Sequence, residues 1–103
     1  TMSDAETEFH KIGDAIDNAV RSQMFGKKCY KINNKAFVCL FQDAMVFKLP
    51  PPHQQDAISL KGAKLFDPSG KGRPMKEWVQ LGMEHQAHWG DFARTACAYV
   101  AQS

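Results

Sequence analysis

Residues 27 to 49 read KKCYKINNKAFVCLFQDAMVFKL, and this stretch decides the architecture. Apolar, β-branched and aromatic residues gather in three short runs, Lys28 to Ile32, Ala36 to Phe41 and Met45 to Leu49, separated by Asn33-Asn34 and Gln42-Asp43. Runs of this length with a period of two, joined by residues that tolerate a positive φ, form an antiparallel meander with tight turns. The middle run is apolar at every position from Ala36 to Phe41. It is therefore expected as a central strand with both faces covered.

Upstream, Phe9, Ile12, Ile16 and Val20 recur at steps of three and four, the spacing of one buried helical stripe. The pattern predicts an amphipathic helix from Asp4 to about Met24. It opens on an S-x-x-E capping box at Ser3 and Glu6 and stops at Gly26. Downstream, Pro50-Pro51-Pro52 ends the third strand and leads a short helix from His53 to Leu60, closed by Gly62. Two further strands, Ala63 to Phe66 and Glu77 to Leu81, flank the turn-rich segment from Asp67 to Pro74. A last helix, Glu84 to about Ala101, puts Trp89, Phe92, Ala93, Ala96 and Val100 on one face. The order α-β-β-β-α-β-β-α predicts one α+β domain over residues 1–103, two-layered, with its helices on one side of a mostly antiparallel five-stranded sheet. Helices of these lengths cover one face only, so some of Phe37, Val38, Cys39, Leu40 and Phe41 are expected on an open apolar patch. Either the sheet curls so far that its concave face closes over these side chains, or a second copy covers them, a homodimer being the common way to bury such a patch.

The composition agrees with a folded domain. Of 103 residues, 44% are hydrophobic and 23% charged, and a chain of this length buries roughly 60 to 70% of its unfolded surface without staples. The three cysteines, Cys29, Cys39 and Cys97, are an odd number at wide spacings, which fits reduced, mostly buried thiols. Thr1 to Glu8 carries acids and no apolar core, and no apolar run approaches the ~18 residues of a membrane span. A cytoplasmic protein is expected.

The formal net charge of +2 conceals an asymmetry. Residues 27 to 76 hold ten basic and three acidic side chains, whereas residues 1 to 26 hold two basic and five acidic. A basic middle with acidic ends attracts anionic partners, nucleic acid among them. The plainer reading is a solubilising surface whose lysines guard sheet edges.

Motifs for catalysis are few. His85 and His88 stand at i and i+3 beside Glu84, but no third metal ligand follows at a recognisable distance. The cysteines lie in or near apolar stripes, where core packing accounts for them better than nucleophilic chemistry does. Gly70-Lys71-Gly72-Arg73 lacks the form of a P-loop and leads into a strand. No cofactor, metal or catalytic residue is expected.

Three segments together carry a family resemblance. Met24-Phe25-Gly26, the strand pair from Phe37 ending in Val46-Phe47-Lys48-Leu49-Pro50, and Phe66-Asp67-Pro68 followed by Gly72-Arg73-Pro74-Met75-Lys76-Glu77-Trp78-Val79 resemble the N-terminal domain of the TfoX (Sxy) family of bacterial competence regulators. Lys48 stands where the family is expected to carry arginine, and Asn33-Asn34 where it usually has a glycine-containing turn. The resemblance implies a secretion-chaperone-like α+β fold and a stand-alone, non-enzymatic regulatory or adaptor module. Such a module would act through a protein partner, a transcription factor for instance, in transcription or competence regulation. The alternative is a direct nucleic-acid binder of low sequence specificity, with Lys27, Lys28, Lys71, Arg73 and Lys76 as contact residues for either partner.

Overall fold

In a computed structural model, which describes residues 4–24, 26–67 and 75–102 and the backbone alone at Met24, Met75 and Lys76, the meander folds as its turns dictate. Strands β2 (Lys27–Ile32), β3 (Lys35–Phe41) and β4 (Ala44–Lys48) pair antiparallel in sequence order. Asn33, Asn34 and Gln42 take φ of 52°, 66° and 56° at the two turns, the left-handed conformation that asparagine bears at little cost.

The first helix is shorter than its stripe suggests. Helix α1 spans Asp4–Asp14, the chain reverses through Asn18 at φ 68°, and Val20–Met24 forms an edge strand, β1, antiparallel to β2. Val20, the expected last residue of the stripe, is 62% exposed. Gly26, at φ 75°, lies between β1 and β2 rather than at a helix end. The capping box at Ser3 lies outside the described residues.

Beyond the meander, α2 (Pro51–Ile58) begins at its prolines. Strands β5 (Lys64–Phe66) and β6 (Met75–Gly82) pair antiparallel, and a 3₁₀ turn at Met83–His85 leads into α3 (Gln86–Ala101). Among the described residues the sheet has six strands, not five, in the order β1-β2-β3-β4-β6-β5, every neighbouring pair antiparallel. No helix among the described residues is long and apolar enough to cross a membrane.

All three helices pack on one side. Helix α3 lies across β3 and β4, α2 against β6, and α1 against α3 and β4. Between helices and sheet, Phe9, Phe37, Val38, Met45, Phe47, Leu49, Val79, Leu81, Trp89, Ala93 and Ala96 are inaccessible to solvent. Trp89 also donates from Nε1 to the Gly82 carbonyl at 3.2 Å.

Three of the five residues expected on an open patch of β3 are buried. The β2–β3 register shifts between Tyr30 and Lys31, so that Tyr30 pairs with Val38 and Lys31 with Ala36. The extra residue is Phe37. A bulge turns two successive side chains to one face, and Phe37 and Val38 both join the helix-side core. Cys39 points the other way and is also fully buried, in a second small core with Cys29, Val46, Phe66 and Trp78. Phe37, Val38 and Cys39 are thus closed within one chain, while Leu40 and Phe41 stay partly exposed.

Candidate binding face

The helix-free side of the sheet can be read off the cross-strand register. Ser22 pairs with Cys29, Cys29 with Cys39, Cys39 with Val46, Val46 with Gln80 and Gln80 with Lys64, one continuous row from β1 to β5. Residues directly opposite share a face, and alternate residues along a strand return to it. Lys27 and Lys31 therefore flank Cys29 on this side. Lys48 joins them opposite Trp78, as does Lys64. Four lysines thus surround the second small core.

One of these lysines is held as well as placed. The Lys27 ammonium sits 5.3 Å from the centroid of the Phe41 ring, a cation–π contact, and Phe41 meets Phe66 edge-on at 5.2 Å. Trp78, 6% exposed, and Val46 fill the floor between Lys48 and Cys39. Among the described residues, none of Lys31, Lys48 and Lys64 forms an ion pair. Glu77, the one strand carboxylate, is on the opposite face, where it accepts a hydrogen bond from the Tyr99 hydroxyl of α3. Glu84 reaches one corner of the lysine-bearing face, over Gly82.

The structure divides the residues expected from sequence. Lys27 belongs to this face. Lys28, its neighbour, points to the helix side, where its ammonium is paired with Glu6 of α1. Lys71 and Arg73 lie outside the described residues, as does the side chain of Lys76, although its backbone is part of β6. Lys31, Lys48 and Lys64 were not expected. The spacing of Lys27, Cys29 and Lys31 already places two lysines on one face of a strand. Lys48 and Lys64 join them only once the register is known.

A polar network occupies the helix side of β1 and β2. Tyr30 donates its hydroxyl proton to Asp14 at 2.7 Å, so the 2.9 Å contact with His10 Nδ1 makes the imidazole the donor. Arg21 reaches the same carboxylate through Nε at 3.1 Å and its terminal nitrogen at 2.5 Å. These hydrogen bonds, from Arg21 first and then Tyr30, hold Asp14 at about 2. Burial, and then the bond to Asp14, pushes Tyr30 up to about 12. Burial also lowers His10, with help from the charges of Arg21 and Lys28. A cleft of about 360 Å³ lined by His10, Arg21, Gln23 and Lys28 opens beside the network. Its charges are spent on one another: Arg21 on Asp14 and Lys28 on Glu6. The network fastens α1 to the edge of the sheet.

Metal ligands and nucleophiles do not converge. His85 Nε2 lies 2.5 Å from the Lys61 carbonyl, and its ring centroid is 6.4 Å from that of His88. Among the described residues no group of three or more His, Cys, Asp or Glu is placed to hold a metal ion. The three cysteines are free thiols, and burial raises all of them, Cys39 to about 12, away from the activated thiolate that nucleophilic catalysis needs. No family model, curated protein or solved structure matches the chain.

Proposed function

We propose that this protein is a non-catalytic binding module, an adaptor of the kind its resemblance to the TfoX N-terminal domain implies, and that it takes an acidic surface of a protein partner on the helix-free face of its sheet. One observation carries the reading. Lys27, Lys31, Lys48 and Lys64 share a face to which no strand contributes a carboxylate, while the acids of α1 lie on the other side. A cluster of like charges with no opposing strand carboxylate steers an acidic partner and sets its orientation. Transcription or competence regulation is the setting the resemblance suggests, in a bacterial cytoplasm.

Nucleic acid is the second reading, favoured by the same lysines and by Phe41, half-buried under Lys27. Capture from a lysate of the native host, with and without nuclease, separates the two. The adaptor reading expects a small set of proteins that survives nuclease and is lost with the Lys31→Glu/Lys48→Glu variant. Capture abolished by nuclease supports the second reading, and capture unaffected by the double variant removes this face from both.

A further inference from the structure

We propose that Cys29 and Cys39 form a reversible thiol–disulfide couple that links β2 to β3 through the centre of the lysine-bearing face. The two residues are direct cross-strand partners. Directly opposed residues of an antiparallel pair stand about 4.5 or 5.5 Å apart at Cα, depending on whether the pair is hydrogen-bonded. Both separations fall within the roughly 4.4 to 6.8 Å that a disulfide spans. Both side chains point to the same face and share the small core with Val46, Phe66 and Trp78. Neither sulfur has another cysteine to pair with, since Cys97 packs against the helix-side core. The proposal stands apart from the identity of the module's partner.

The order of events follows from position. Cys29, itself 1% exposed, is one strand in from the edge and pairs with Ser22 of β1, so it is reached when β1 frays, and fraying of an edge strand is among the least costly openings a sheet undergoes. Lys31, two residues along on the same face, partly opposes the effect of burial on Cys29. Cys39 lies in a central strand and is wholly inaccessible. Cys29 is therefore the attacking sulfur. With a low-molecular-weight disulfide as oxidant, the Cys29 thiolate attacks one of its sulfurs, forming a mixed disulfide and expelling one small thiol. Cys39, whose thiol burial keeps protonated, then passes its proton to the departing small thiolate as its sulfur attacks the Cys29 sulfur and expels the second small thiol. Two protein thiols and one small disulfide give one protein disulfide and two small thiols. The new bond closes a loop around the Asn33-Asn34 turn and fixes the bulged β2–β3 register, which sets the spacing of Lys27 and Lys31 from the rest of the face.

The test uses the folded wild-type chain incubated with glutathione disulfide, alkylated and mapped as peptides without reduction. The expected product is a monomer that has lost two hydrogens, with the Cys29 peptide joined to the Cys39 peptide, Cys97 still alkylated, and full reversal by dithiothreitol. Its melting temperature should exceed that of the reduced protein, because the link restricts the unfolded chain. Three results would each overturn the proposal: both cysteines still alkylated after prolonged exposure, two stable mixed disulfides with glutathione, or a Cys29–Cys39 link that forms only in denaturant.

Discussion

Gly13 lies against the face of Tyr30 so closely that a Cβ at Gly13 would stand 2.3 Å from the Cε1 and Cζ atoms of the ring. Tyr30 is 1% exposed and anchored by Asp14 and His10, so it cannot swing aside without breaking the network that holds α1 to the sheet. Gly13→Ala should therefore destabilise the protein. Overpacking costs about 1 to 3 kcal/mol, against a helix-propensity gain of at most about 1 kcal/mol, and that gain is smaller here because Gly13 is next to last in α1. Urea denaturation measures the difference. A variant as stable as the wild type would contradict this packing.

The Asp14–Arg21–Tyr30 network makes stability depend on acid. Asp14 titrates at about 2 in the folded chain against an ordinary 3.8, so between those values the unfolded state binds more protons than the folded one. The contribution is fully present above pH 3.8 and is lost as pH falls through about 2. His10, also lowered in the folded state, acts in the same direction at milder acidity. Asp14→Asn should lower stability at neutral pH, and the gap to wild type should close as pH approaches 2. A gap of constant size across a pH series of denaturation curves would show that the network does not carry the effect.

Trp78 forms part of the floor beneath the lysines, and at 6% exposure its loss leaves a hole on the helix-free side. Trp78→Ala should cost about 3 to 5 kcal/mol and lower the melting temperature clearly. Trp89, wholly buried against α3's own side of the sheet, remains as the fluorescence reporter, with blue-shifted emission in the folded state. An unchanged melting temperature would contradict the burial of Trp78.

Any binding to nucleic acid should be weak and electrostatic. The four lysines of this face among the described residues neutralise about four phosphates, giving a slope of log K on log salt of about −3 for single strands and about −4 for duplex. Lys31→Ala should reduce that slope by about 1. Among the described residues no helix is positioned on this face to read a groove, so sequence preference should be small. Fluorescence anisotropy over a salt series checks both points, and tight binding to one sequence at high salt would contradict them.

The meander was legible in the sequence because its signals are local: period-two alternation and asparagine pairs that accept a positive φ. The end of α1 was not. Ile16 and Val20 extend the apolar stripe, but Asp14 is fastened by Arg21 and Tyr30, contacts across seven and sixteen residues that no local pattern reveals. The strand that follows, V-R-S-Q-M, looks unlike one because it is an edge strand whose outer side needs no apolar partner. The bulge at Phe37, which sends that side chain to the helix-side core, is a property of pairing rather than of the run itself. The contact residues were half legible for the same reason. Adjacent in sequence, Lys27 and Lys28 look like one basic site, yet a strand sends neighbours to opposite faces, and Lys28 ends in an ion pair with Glu6.

If binding uses the helix-free face, equal charge changes on the two sides of the sheet should have unequal effects. Lys31→Glu/Lys48→Glu alters that face, whereas Lys35→Glu/Arg94→Glu makes the same change among exposed side chains of the helix side, where Lys35 lies opposite the core residue Ile32 and Arg94 is on α3. Both variants should melt close to the wild type. In quantitative mass spectrometry of proteins captured from nuclease-treated host lysate, the account expects the first variant to lose the wild-type partners and the second to retain them. Loss from the helix-side variant with retention by the sheet-face variant would contradict it.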